Sequence, residues 1–219
     1  MSEVMRLARQ AKEASRRLAG TPTVVKNRAL RAMAAGLERD SRAILAANGK
    51  DLRGARAKGV RGALLDRLTL NPKRVAEMAR GLREVAALPD PVGKVIERRR
   101  RPNGLVIEKV RVPIGVVGII YEARPNVTAD CAGLCVKAGD AVILRGGSEA
   151  IRSNRAIHRS LDRAARRAGL PAGAIQIVPG TDRRAIGRLL SLVGLVDLVI
   201  PRGGEGLIRE VVAKAKVPV

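Results

Sequence analysis

Apolar residues recur at helical spacing through the first 90 positions, and then the pattern changes. In Glu3–Ala19 they fall at Val4, Leu7, Ala8, Ala11, Ala14 and Leu18, one stripe of an amphipathic helix. Gly20 fits its stop, and Thr21-Pro22 opens the next segment. Val24–Asn48 repeats the stripe with Leu30, Met33, Leu37, Ile44 and Leu45 and reads as one longer helix, closed by Asn48-Gly49. A shorter helix follows around Asp51–Lys58, and Leu64–Leu70 is a short apolar run. Asn71-Pro72 is a helix-start signal, and the helix Pro72–Ala87 is stopped by Pro89 and Pro91.

From residue 92 the period shortens. Val92–Arg99 and Leu105–Val112 read as strands of a hairpin, joined through Arg101-Pro102-Asn103-Gly104, because Asn-Gly between extended runs suits a tight reversal. The tip carries Arg98-Arg99-Arg100-Arg101, open either to water or to an anionic contact. Ile114–Tyr121 and Ala141–Leu144 are apolar without alternation, which implies burial on both faces and a parallel sheet covered by helices. Val127–Lys137 is the helix between them. A helix over Glu149–Ala168, a strand at Ile175–Val178, a helix over Asp182–Leu192, a strand at Leu195–Ile200 and a helix over Gly206–Lys216 follow. Strands alternating with helices predict an α/β fold with a doubly wound parallel sheet. The expected divisions are a helical part over residues 1–90, a hairpin arm over 91–112 and an α/β domain over 113–219. Lys216-Val217-Pro218-Val219 reads as the start of a further strand.

Composition narrows the function classes. The formal net charge is +23, with 43 Lys and Arg against 20 Asp and Glu. Such a surface suits nucleic acid, a phosphorylated substrate or a dinucleotide. The basic residues are scattered, and Tyr121 is the only residue among Phe, Trp and Tyr, so stacking platforms for single-stranded bases are missing. Nucleic acid is therefore disfavoured. No apolar run is long enough to span a bilayer, and the N-terminus lacks the apolar stretch of a signal peptide; the expected location is cytoplasmic. Cys131 and Cys135 share a helix face. They are too few for a structural zinc site and read as small core residues. His158, among Arg152, Arg155 and Arg159, reads as solvated.

In a parallel sheet, ligands bind beyond the carboxyl ends of the strands. Three strands end there in glycine-containing turns: Gly146-Gly147, Gly180 and Gly203-Gly204. Glycine admits a phosphate close to the backbone, and the following helix supplies amide donors. Together they point to a nucleotide. Ser148 can serve as the N-cap of the next helix, or it can join Arg145 and Glu149 in holding a ribose and its phosphate. Asn126 can cap a helix, or aim its amide at a developing oxyanion.

The stretch VPIGVVGIIYEARPNVTADCAGLCVKAGDAVILRGGSEAIRSN closely resembles the γ-glutamyl phosphate reductase (glutamate-5-semialdehyde dehydrogenase) family, within the aldehyde dehydrogenase superfamily. LPAGAIQIVPG and VDLVIPRGGEGLI are similar to the same family, and the similarity runs over the whole chain. YEARPNVT and ILRGGSEA are specific to this branch. The resemblance implies a Rossmann-like parallel sheet of the aldehyde dehydrogenase type, preceded by helices and a hairpin arm. It implies NADPH-dependent reduction of L-glutamate 5-phosphate to the 5-semialdehyde, in proline biosynthesis, without a metal. Asn126 then matches the oxyanion donor, and Arg124 beside it is expected to contact substrate. Arg145, Gly146, Gly147, Ser148 and Glu149 match the adenosine-ribose turn, and Pro179, Gly180, Gly203 and Gly204 fall in loops that bind NADP(H). The family's nucleophilic cysteine is expected in a Gly-x-Cys-His segment beyond Val219, so the chain is expected to supply the cofactor half and to be inactive alone. A homo-oligomer is implied for the full-length form, with glutamate 5-kinase as a candidate partner. The alternatives are a non-catalytic dinucleotide-binding fragment and a basic nucleic-acid-binding protein.

Overall fold

A computed structural model describes residues 2–219. Helix α1 (Glu3–Ala19) runs over the predicted span, and its N-cap Ser2 accepts a hydrogen bond from Met5 N–H. The next segment departs from expectation. It is two helices, α2 (Thr23–Arg39) and α3 (Ser41–Ala57). The break lies at Asp40, which terminates α2 and holds Arg163 through its carboxylate. Helix α3 then runs through Asn48-Gly49, because the buried Asn48 side chain is bonded outward to other segments rather than to its own turn. Residues read only as apolar form the short α4 (Gly62–Leu68), and α5 (Pro72–Ala87) is capped by the Asn71 side chain as its sequence indicates.

The hairpin is β1 (Val95–Arg100) and β2 (Val106–Val110), antiparallel, with Arg98 opposite Glu108. Every residue of both strands is exposed, including Val95, Ile96, Val106 and Ile107. The sheet domain follows as β3 (Val116–Tyr121), α6 (Asn126–Ala138), β4 (Ala141–Arg145), a 3₁₀ turn at Ser148–Ala150, α7 (Ile151–Arg167), β5 (Ile175–Ile177), α8 (Arg184–Leu190), β6 (Leu198–Arg202) and α9 (Glu205–Lys214). β6 lies later than the apolar run suggested, because Leu192–Val196 forms a turn first. Pro201 is tolerated within it on the outward edge. Two residues earlier, Val199 N–H on that same edge donates to the Pro218 carbonyl (2.8 Å), where the terminal segment begins to run alongside.

The sheet is parallel, in the order β5-β4-β3-β6. β3 and β4 are buried along their whole length, as unalternating apolar strands require. Helices α6 and α7 cover one face, and α1 and α8 the other; α2 packs on α5 and α7. One hydrophobic core runs from Val4 and Leu7 of α1 through the sheet to Val217. Lys12 of α1 pairs with Asp197 (2.7 Å), whose carboxylate also accepts Val116 N–H. Among the described residues, no helix is long and apolar enough to cross a membrane.

Candidate functional site

The chain builds β3, then β4 and β5 to one side, and returns to lay β6 on the other side of β3. The order therefore reverses beside β3, and a crevice opens at the carboxyl ends of the flanking strands. A cavity of about 800 Å³ lies there. Ile120–Arg124 at the end of β3, Arg145 and Gly147–Glu149 at the end of β4, Thr181 and Arg183 after β5, and Arg202–Gly204 at the end of β6 all line it. Val60, Leu64, Arg67 and Leu68 close the far wall from the helical part.

None of the glycines in these turns has a positive φ, and Gly146, Gly147 and Gly203 serve close approach instead. A Cβ on Gly203 would lie 2.6 Å from the Glu122 carboxyl carbon. That carboxylate crosses from the β3 turn to accept Gly204 N–H (3.0 Å) at the start of α9. A Cβ on Gly146 would lie 2.2 Å from the Asn154 amide and 2.8 Å from the Tyr121 ring. Beneath the cavity, the Tyr121 hydroxyl bonds Thr128 Oγ1 (2.7 Å), which reaches Asn154 Oδ1 (3.2 Å). Burial pushes the Tyr121 phenol well above its ordinary range, so it stays neutral.

Arg145 is buried. Its guanidinium donates to the carbonyls of Gly146 and Thr181, tying the β4 turn to the β5 turn. Its Nε has no partner among the described residues, and burial lowers its pKa. Five arginines (67, 124, 145, 183 and 202) line the cavity against Glu122 and Glu149, and Ile120, Val127, Ile186 and Leu207 add apolar wall. Cationic side chains and apolar walls fit a diphosphate carrying two flat rings. Among the described residues no group of His, Cys, Asp and Glu is arranged to hold a metal.

The sequence model of the Aldehyde dehydrogenase family matches residues 1–218. The chain belongs to that family. It is 59% identical over 217 residues to a γ-glutamyl phosphate reductase of Moorella thermoacetica, covering 99% of this chain and 52% of that protein. It superposes on the crystal structure of a γ-glutamyl phosphate reductase from Thermotoga maritima with a TM-score of 0.98 at 42% identity, over 100% of this chain and 53% of that one. The corresponding Saccharomyces cerevisiae structure gives 0.92 at 32%, over 100% and 56%. The chain thus spans about half the length of the curated relatives it matches.

Within this aldehyde dehydrogenase frame, Arg124, Arg145, Gly147, Ser148, Glu149, Gly203 and Gly204 come together on one cavity. Gly146, Pro179 and Gly180 do not reach its wall; Thr181 and Arg183 stand there instead. Asn126 lies in a neighbouring recess of about 330 Å³, with Asp130, Glu77 and Thr69; Arg67 and Arg124 line both. Asn126 does not cap α6, because Pro125 takes that place. Its Nδ2 donates to Asp130 (3.0 Å), whose carboxyl is raised by burial against the pull of Arg202 and of this bond.

Ser148 does not cap α7 either. It opens the 3₁₀ turn and bonds Glu149 (3.1 Å). The first-turn amides of α7 are met by Asp51 of α3. Cys131 and Cys135 pack into or against the core, as expected. His158 is half-buried rather than solvated, its Nε2 against the Ile175 carbonyl (3.0 Å), and burial lowers its pKa. Sequence reasoning missed Glu122, Thr128, Asn154 and Asp51. Only Tyr121, the single aromatic ring, stood out as a signal for the network below the cavity.

Proposed function

We propose that this chain is the dinucleotide-binding half of an NADPH-dependent reductase acting on L-glutamate 5-phosphate and releasing the 5-semialdehyde in proline biosynthesis. The observation that carries this reading is the arginine-lined cavity at the reversal point of the sheet, in a chain 59% identical to a γ-glutamyl phosphate reductase. When bound, the reduced dinucleotide supplies the hydride. Gly203 and Gly204 bring backbone to its diphosphate once the Glu122 carboxylate that accepts Gly204 N–H swings away, and Arg183 and Arg202 neutralise that charge. Arg145 holds the β4 and β5 turns in register, while Ser148 and Glu149 meet the adenosine ribose. Asn126, fixed by Asp130, keeps its second amide hydrogen for an oxyanion, and Arg124, between the two recesses, faces the substrate phosphate.

Neither cysteine suits the nucleophile's role. The thiolate is the reactive form, yet burial pushes the Cys131 thiol up to about 11 and raises Cys135 further. Neither lines the cavity. The reading therefore puts the reactive thiol outside these 219 residues, and it assigns the exposed hairpin to pairing with a second subunit. Titration of the chain with NADPH tests the first part: saturable binding weakened by Arg183→Ala is expected, and no binding at millimolar cofactor would count against it. Incubation with NADPH and glutamyl phosphate tests the second. No semialdehyde should form, and product that disappears in Cys131→Ser would overturn the assignment of the thiol.

A further inference from the structure

The carboxylate of Asp51 is fully buried, with 0% of its side chain exposed. One oxygen accepts Ser153 N–H and Ser153 Oγ–H, both at 2.7 Å. The other accepts Arg152 N–H (3.3 Å) and a weaker Arg152 guanidinium contact (3.4 Å). A carboxylate from α3 thus satisfies the orphan amides at the start of α7 and meets the positive end of that helix. One turn earlier on α3, Asn48 is equally buried. Its amide donates to the Leu68 carbonyl (2.8 Å) and to Ser153 Oγ (3.1 Å), and its oxygen accepts Leu70 N–H (2.8 Å). Ser153 joins the two, so one hydrogen-bonded hub holds three segments that are far apart in the chain.

Two of those segments are walls. Leu68 lines the large cavity and Leu70 the neighbouring recess. Gly147–Glu149 leads directly into the start of α7 and lines the cavity opposite. The contact between these walls is a small apolar cluster of Ala55, Leu68 and Ala150, with Leu52, Val60 and Leu65 around it, separate from the main core. Leu70 belongs to the main core, whereas Leu68 and Ala150 meet in this separate cluster, and none of Asp51, Asn48 and Ser153 reaches the cavity itself.

We infer that Asp51, Asn48 and Ser153 are positioning residues which set the adenosine end of the cavity, a role that rests on the dinucleotide reading above. Replacing the carboxylate with an amide turns two acceptors into one and sets amide hydrogens against either the Ser153 or the Arg152 donors. The test uses the full chain, its Asp51→Asn variant and its Ser153→Ala variant. Each is titrated with NADPH, with 2′,5′-ADP for the adenosine end and with reduced nicotinamide mononucleotide for the other end. Both variants are expected to bind NADPH and 2′,5′-ADP about tenfold more weakly, the scale of one lost hydrogen bond to a charged group. Binding of the mononucleotide should change by less than about twofold. Unchanged affinity for 2′,5′-ADP, or equal loss for both half-ligands, would overturn the inference, since a purely structural role loosens both ends together. Failure of the unaltered chain to bind any of the three would overturn the dinucleotide reading and this role with it. Ser153→Ala removes only one hydroxyl and carries the test if Asp51→Asn does not fold.

Discussion

A methyl group at position 146 meets two buried side chains, the Asn154 amide at 2.2 Å and the Tyr121 ring at 2.8 Å. Both are interlocked through Thr128, so neither has room to rotate away. Gly146→Ala is expected to cost about 1–3 kcal/mol, as overpacking of a filled interior does; a lowered urea midpoint with unchanged slope reads it. The glycine is visible in the sequence, but its reason is not, because ring and amide come from β3 and α7. Asp90 makes a second prediction. Its partner Lys26 is only 1% exposed, at 2.6 Å. Burial pushes the Asp90 carboxyl up, but hydrogen bonds from Lys26, Thr23 and Val92 N–H outweigh it and hold the pKa below the ordinary value. A depressed native pKa adds stability that is present above the unfolded pKa, about 3.9, and fades as pH falls through the native value. Asp90→Asn should therefore be less stable than the unaltered chain at pH 7, and the gap should shrink below about pH 4. A gap constant down to pH 2 would remove the linkage.

Elements were largely legible where their signal is local. α1 and α5 run over the residues that stripe, cap and stop signals assign. Two of the failures share one cause. α2 and α3 divide at Asp40, and α3 continues past Asn48, because distant partners meet those side chains: Arg163 in one case, Leu68, Leu70 and Ser153 in the other. Nothing in the periodicity of residues 24–48 carries that information. The hairpin is the opposite case, an element specified by its own turn and strand residues alone. Gly104, at φ +88°, closes its turn, and both strand faces meet solvent. Replacing residues 95–110 by a short Gly-Ser link between Lys94 and Arg111, already hydrogen-bonded at 3.0 Å, should change folding stability by no more than about 0.5 kcal/mol, as for other exposed changes. A loss well beyond that, by denaturant titration, would mean that the arm packs on the body or on another copy.

At the scale of the molecule, the open crevice is the feature that a ligand would alter most. A dinucleotide at 100 times its dissociation constant should stabilise the chain by about 2.7 kcal/mol, raising the thermal midpoint by roughly 5–10 °C for a domain of this length. No shift at millimolar NADPH would argue against the site. The net charge of +23 now has a local expression, since five arginines gather on one cavity; the remainder is spread over helix faces and the hairpin. The order of strands and helices from residue 92 onward, the parallel sheet, the glycine turns and the family were all contained in the sequence. These depend on short-range periodicity and on motifs of a few residues. The tertiary structure alone decided which turns share a wall, why Thr181 and Arg183 stand where Pro179 and Gly180 were expected, and that α7 is capped by Asp51, 102 positions before Ser153. Such pairings arise only when packing brings separate helices together, and local pattern carries no trace of them.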